Sequence, residues 1–341
     1  MAATPHAKRI TLHDVARAAG VSYQTVSRVI NEHPHVSSAT RQRVLEAVKV
    51  LNYQPNIAAR SLVTRRSRML ELIVYGSSHY GPSQMVANVE RAARELGYNL
   101  MLANITAVTV EEIQASINSL SGRFVDGIIL IAPVRGVSYE QIRAICGDLP
   151  FVMIDTQPGI ATPSVVIDQH YGSQLVTQHL IDLGHRRICE ISGPLDWYGA
   201  AARHESWQDT LRTAGLQPGP SIAGDWTAAG GYAAALDLLE GGAAFTALVA
   251  GNDQMAFGAV RALRDRNLRV PEDVSVVGFD DAPETAYFEP PLTTVRQDFD
   301  ALGRQSADYL VSLIERPNTP LHQRVLYPQL VVRRSTLPPA R

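Results

Sequence analysis

The stretch TLHDVARAAGVSYQTVSRVIN, residues 11–31, reads as two short helices around a glycine turn. Thr11 and Asp14 have the spacing of a capping box, and Val15, Ala16 and Ala19 form the apolar side of the first helix, which Gly20 ends. Ser22 is placed to cap the second, where Val26, Val29 and Ile30 fall at i, i+3 and i+4 and make one buried stripe. Tyr23, Gln24, Ser27 and Arg28 then lie on the opposite face. A third helix is expected after Ser37 or Ser38, with Val44, Val48 and Leu51 inward, ending before Pro55. Three helices in this order predict a helix-turn-helix domain over residues 1–55.

Charge separates this head from the rest. Of 31 basic and 33 acidic residues in the 341-residue chain, residues 1–68 hold eleven basic residues against Asp14, Glu32 and Glu46, a net of +8, and the remainder is left at −10. A basic head on an acidic body implies a polyanion partner for the head. A helix fits the major groove of double-stranded DNA, where Gln and Arg pair with adenine and guanine edges, so Tyr23, Gln24 and Arg28 are the candidate base readers.

Beyond Pro55, the run from Asn56 to Leu62 is helix-prone but too short to be stable by itself. VTRRSR (63–68) reads as the end of a linker. From Met69 onward short apolar runs alternate with helical stretches: MLELIVY (69–75), YNLMLAN (98–104), VDGIILI (125–131) and FVMID (151–155), then RICEIS (187–192), SIAGD (221–225), FTALVAG (245–251) and VSVVGFD (274–280). The expected class is α/β, with two open lobes of parallel sheet. Ligands of such sheets sit beyond the carboxyl ends of the strands, and two facing lobes place the site in the cleft between them. Asp155, Asn252, Asp253, Asp280 and Asp281 fall at strand ends. Arg203 lies at the start of a helix after Gly193-Pro194, and Trp226 follows a strand directly. For Asp253 and Asp281, helix capping competes with ligand contact. Carboxylates, an amide and a flat aromatic are the composition of a sugar site.

SYQTVSRVIN (22–31) and LNYQPN (51–56) resemble the lactose-repressor family of transcriptional regulators. GPSQ (81–84), GDWTA (224–228), GNDQMAFGAVRAL (251–263), SVVGFDDAPE (275–284) and PPLTTVRQDF (290–299) carry the likeness through the body, which is similar to periplasmic sugar-binding proteins. The resemblance implies that Tyr23, Gln24 and Arg28 read bases and that Thr11, Leu12, Ser27, Asn31, Thr40, Tyr53 and Asn56 support binding, mainly by holding the DNA backbone. It makes 56–68 a hinge helix and linker, with Leu62 as a minor-groove wedge and Ala58 letting two hinges pack closely. Residues 69–341 become the effector-binding and dimerisation domain, the first lobe about 69–166 and 298–325, the second about 167–297 and 326–341. Effector contacts carry over to Met85, Asp155, Arg203, Trp226, Asn252, Asp280, Gln297 and Phe299. GSSHYGPSQ (76–84) is two residues short, so Tyr75 and Ser77 compete for one place, and LDWYGAAARH (195–204) brings Trp197 beside Arg203.

The expected protein is a cytoplasmic regulator, a homodimer on palindromic operator DNA, released by a sugar inducer, a galactoside or related glycoside. The alternative effector is a purine, nucleoside or phosphosugar corepressor. A solute-binding protein of a transport system fails on the basic head and the absent signal sequence. No phosphate loop, nucleophile elbow or zinc helix is present, so no catalytic residue, metal or cofactor is expected. His33 and His35 sit in a turn, and Cys146 and Cys189 in or beside apolar runs. The longest apolar runs are far too short for a membrane span. The C-terminus, VLYPQLVVRRSTLPPAR, has no leucine heptads, so the dimer is not expected to pair further by a coiled coil.

Overall fold

The computed structural model describes residues 10–30, 33–53, 66–119, 125–134, 136–156, 159, 162–316 and 318–340. The chain divides into two compact units, a head up to Ser67 and a body from Arg68. Asn31, Asn56, Ala58 and Leu62 lie outside the described residues.

The head folds locally. Helix α1 spans Leu12–Ala19 and stops at Gly20, whose φ of 63° suits a residue without a Cβ. Asp14 accepts from both the Thr11 amide, at 2.9 Å, and the Thr11 hydroxyl, at 2.7 Å. Helix α2, Tyr23–Ile30, begins where the Thr25 amide donates to the Ser22 hydroxyl at 3.1 Å. Helix α3, Ser38–Val50, is capped by Ser37, which accepts from the Thr40 amide. Val15, Val26, Val29, Val44 and Ala47 meet in one small core, on which Tyr53 closes.

In the body, strands β1 (Met69–Tyr75), β2 (Asn99–Ile105), β3 (Gly127–Ile131), β4 (Phe151–Ile154) and β5 (Ser164–Ile167) lie in one parallel sheet, in the order β5-β4-β3-β1-β2. Helices α4 (Tyr80–Glu95), α5 (Val110–Ser119) and α6 (Tyr139–Cys146) connect them. One face of the sheet packs Leu70, Leu72 and Val74 on Val89; the other packs Ile73, Ile128 and Leu130 on Ile113 and Ile142. Strand β3 is therefore buried throughout, as parallel strands covered on both faces are.

The second lobe begins with helix α7 (Gln169–Asp182), then β6 (Ile188–Ser192), α8 (Tyr198–Thr213), β7 (Ser221–Ala223), α9 (Ala228–Glu240), β8 (Ala247–Ala250), α10 (Asp253–Asp265) and β9 (Ser275–Val277), with sheet order β7-β6-β8-β9. Its two faces pack on α9 with α10 and on α7 with α8.

The return of the chain goes beyond the expected alternation. After β10 (Thr294–Arg296) the chain crosses back as α11 (Phe299–Glu315), which packs Leu302, Tyr309 and Leu310 into the first lobe. Strand β11 (Gln323–Leu326) then joins the edge of the first sheet, pairing Leu326 with Ile167, and β12 (Gln329–Val331) pairs antiparallel with β10 in the second lobe. The terminal segment from Val325 thus starts in the first lobe before it closes the second. Three crossings join the lobes, near Asp168, Gln297 and Pro328. No described helix is long and apolar enough to cross a membrane.

Helices α9 and α10 meet backbone to backbone at Gly258, where an added Cβ would stand 1.9 Å from the Ala228 carbonyl oxygen. A methyl group there has nowhere to go. Gly258→Ala is therefore expected to lose about 1–3 kcal/mol in urea unfolding, although alanine is the better helix former in isolation.

Candidate functional site

Two surfaces carry chemistry, one in each unit. On the head, α2 turns Val26 and Val29 into the core, which leaves Gln24 and Arg28 exposed and Tyr23 45% exposed. The Tyr23 ring stacks on His13, centroids 4.8 Å apart, so α1 fixes where that phenol stands. Ser27 is half-buried beside them. The Thr40 hydroxyl accepts from Ser37 at the start of α3, Leu12 packs partly into the core, and Tyr53 is buried. Exposed Gln and Arg at the start and middle of a short helix, with buried residues behind, have the chemistry and placement that reading a DNA groove requires.

In the body, the carboxyl ends of β4, β8 and β9 and the starts of α4, α7 and α8 surround a cavity of about 40 Å³. Asp155, Arg203, Trp226, Asn252, Asp280, Gln297, Met85 and Trp197 line it as expected, joined by His79, Tyr80 and Gln169. Tyr75, Ser77 and Phe299 do not. Tyr75 turns instead to the Trp197 ring at 5.6 Å, and Phe299 backs Tyr80 at 6.2 Å. His79 and Tyr80 occupy the wall expected of Tyr75 or Ser77.

Arg203 organises the floor. Its side chain is only 12% exposed, and its guanidinium lies 3.9 Å from Asp280 and 3.7 Å over the Phe279 ring. Its Nε donates to Gln169 at 2.9 Å, and an Nη donates to the Gly251 carbonyl. Gln169 donates to Gln297 at 2.8 Å, and Gln297 donates to Asp280 at 2.6 Å. The chain of donors thus returns to the carboxylate facing the guanidinium, through two amides at the lobe crossings. Helix α8 starts at Tyr198, which places Arg203 in its second turn.

Burial raises the Asp155 carboxyl to about 6, with Arg203 pulling the other way. Burial also raises Asp280 to about 6, opposed by Arg203 and Gln297. Asp253 is raised well above the ordinary range by burial and by Asp280. It is neither a cap nor a cavity residue: it accepts from the Ala282 amide at 2.8 Å and the Thr294 hydroxyl at 2.6 Å. The cap of α10 is Asn252, which accepts from the Met255 amide and donates to the Trp226 carbonyl, keeping one donor and one acceptor site for a guest. Asp281 also caps nothing; it holds Arg296 and Arg333, both at 2.6 Å.

Three cavity residues have positive φ: Asp155 at 54°, Trp226 at 70° and Asp280 at 118°. Such backbone costs about 1–3 kcal/mol per residue and gathers at functional sites. The Trp226 ring covers Gly193 so closely that a Cβ there would lie 2.2 Å from it. The indole nitrogen is buried with no partner among the described residues. Flat indole, carboxylates and guanidinium together can stack on the apolar face of a polyol and hold its hydroxyls.

A helix-turn-helix head joined to a two-lobed ligand cleft defines a ligand-responsive DNA-binding regulator. Residues 11–56 match the bacterial regulatory proteins of the lacI family, and residues 177–336 match the periplasmic binding protein-like domain. The lactose operon repressor of Escherichia coli K12 is 36% identical over 97% of this chain and 92% of its own length. The ribose operon repressor of the same strain is 36% identical over 95% of this chain and 99% of its own. The lac repressor dimer bound to operator and the anti-inducer ONPF superposes with a TM-score of 0.88 at 35% identity, covering 97% of this chain and all of that one. The chain belongs to the LacI family of transcriptional regulators, DNA-binding proteins and not enzymes.

Because the folded state holds the Asp155 and Asp280 protons more tightly than the unfolded chain, their contribution to stability is full below about pH 4 and is lost as pH rises through about 6. Asparagine tolerates the positive φ of position 155 and cannot ionise. Asp155→Asn is therefore expected to be more stable than the parent by about 1–3 kcal/mol at neutral pH, with the gap closing toward pH 4, as measured by urea unfolding across pH.

Proposed function

We propose that the chain is a homodimeric repressor that reads a two-fold-symmetric operator through Tyr23, Gln24 and Arg28 and is released when a neutral sugar binds between Asp155, Arg203, Trp226 and Asp280. The observation that carries the effector class is the cavity itself: carboxylates from both lobes around one guanidinium, beside an indole face. Hydroxyls satisfy that set, whereas a phosphate would meet Asp155 and Asp280 with only Arg203 as guanidinium or ammonium among the described lining residues. Relatives named for lactose and ribose operons, and the 35% identical CelR–cellobiose complex with a TM-score of 0.72, support a sugar.

A galactoside or related glycoside is the first class to test, with Met85 as the apolar contact on the first lobe. Asn56, Ala58 and Leu62 would form the hinge in the minor groove, ordered jointly by DNA and by the setting of the lobes, with Thr11, Leu12, Ser27, Asn31, Thr40 and Tyr53 supporting the head on the backbone. The second reading, a purine corepressor, draws on a purine repressor of Haemophilus influenzae that is 35% identical over 95% of this chain.

Calorimetric titration of the full chain with mono- and disaccharides and with purine bases separates the two. The expected result is saturable binding of a sugar that then frees operator, selected from random duplexes, in a gel shift. A purine that binds and tightens the DNA complex would overturn it. Asp280→Ala and Trp226→Ala should abolish sugar release while sparing DNA binding. Arg28→Ala should cost about 1–3 kcal/mol of preference at the base pair it reads, seen as relaxed selection there.

A further inference from the structure

The segment GPLDWYG, 193–199, leaves the second lobe after β6 and touches the first lobe before α8 begins. Trp197 forms an antiparallel bridge with Val134, and the Tyr198 amide donates to the Pro133 carbonyl at 2.7 Å. The Trp197 ring, itself 8% exposed, lies 5.6 Å from Tyr75 and edge-on to His79 at 5.5 Å, both on the first lobe. It also meets Trp226 on its own lobe at 5.7 Å. Gly76 makes the room: at φ 70° it lies so close that a Cβ would stand 2.6 Å from the indole. Tyr75 and Val134, from the first lobe, thereby pack on the apolar cluster of the second.

We propose that Trp197 is a positioning residue of the cleft: it latches the lobes across one end of the cavity and so limits the length of the guest that the closed form accepts. Every contact named is between protein groups, so the latch favours closure with or without a guest. The same ring is a cavity wall, together with Trp226 and His79. A guest that extends past it displaces the indole from Tyr75 and His79 and loses the closure those contacts favour. This deepens the reading of the cleft as a sugar site, and rests on it for the identity of the guest only.

The Tyr198 amide reports the latch directly, because its acceptor is on the other lobe. In the full-length parent without sugar it is expected to be protected from hydrogen exchange. In Trp197→Ala it should exchange faster by about tenfold or more, the loss of several aromatic contacts, while the interior amides of Ile191 and Leu211 keep their protection and show the lobe folded. Trp197→Phe, which keeps a ring, should fall between the two. Unprotected Tyr198 in the parent, or equal protection in Trp197→Ala, overturns the latch.

Calorimetry with glucose, galactose, cellobiose and lactose tests the wall: in Trp197→Ala the affinity for a disaccharide relative to its monosaccharide should rise by at least about fivefold, and an unchanged ratio overturns that role. If no sugar binds the parent, the sugar reading fails, while the exchange result still decides the latch.

Discussion

Burying one guanidinium among carboxylates is the constraint around which the body is arranged. A charge removed from water is costly unless matched, and Arg203 is matched by Asp280, with Asp155 and Asp253 adding to the attraction. Three carboxylates are more than one cation needs, and burial answers by pushing all three toward their protonated forms. The remaining donors and acceptors are settled by Gln169 and Gln297, which sit where the chain passes between lobes. Cavity and lobe crossings are thus one hydrogen-bonded network. A guest that competes for Arg203 or Asp280 acts on the crossings by way of two amides and needs no long pathway.

The lobes can hold such a costly arrangement because most of their cores lie away from it. Each sheet is covered on both faces by helices, and of the apolar clusters behind β3 and β8 only Trp197, Trp226 and Met85 also line the cavity. Around the cavity, strained backbone falls in the loops at the strand ends, where Asp155, Trp226 and Asp280 take positive φ. Those backbones aim side chains that an unstrained turn would direct elsewhere. The cost is local, and the stability that tolerates it comes from the sheets.

Legibility followed the range of the interactions. The head was readable because its signals act within three or four residues: Ser22, Ser37 and Gly20 cap or stop helices where their chemistry dictates. Asp155, Trp226 and Asp280 stood out because they follow strands of a parallel sheet, where ligands sit, and Arg203 because it opens the helix after Gly193-Pro194; all four line the cavity. Gln169 looked like an ordinary first-turn residue, and only the meeting of α7, α8 and the return crossing gives its amide two partners. His79 and Tyr80 were hidden at the loop before α4, whose path decides which residues reach the wall without changing any local pattern. The return of helix α11 and strand β11 to the first lobe, and of the segment after them to the second, came only from the family resemblance, since which lobe an element joins is a tertiary choice that no period records. Asn252 takes the cap that Asp253 also suited while still lining the cavity: adjacent polar residues before a helix both suit a cap, and the second is drawn inward by Thr294 and the Ala282 amide.

What a guest can do is bounded by where its contacts lie. A ligand shifts an equilibrium only by the difference in its affinity for the two states, so a molecule held by one lobe alone would bind without consequence. This cavity draws Tyr80, Met85 and Asp155 from the first lobe and Trp226, Asn252 and Asp280 from the second. A guest can engage both sets only when they face each other at one separation. Its affinity would then be high for one setting of the lobes and low for the rest, and that difference bounds the free energy it could supply to a change of state. The direct contacts between the lobes, through Trp197 and Tyr198, raise the starting population of closed forms and so reduce how much of that free energy closure consumes.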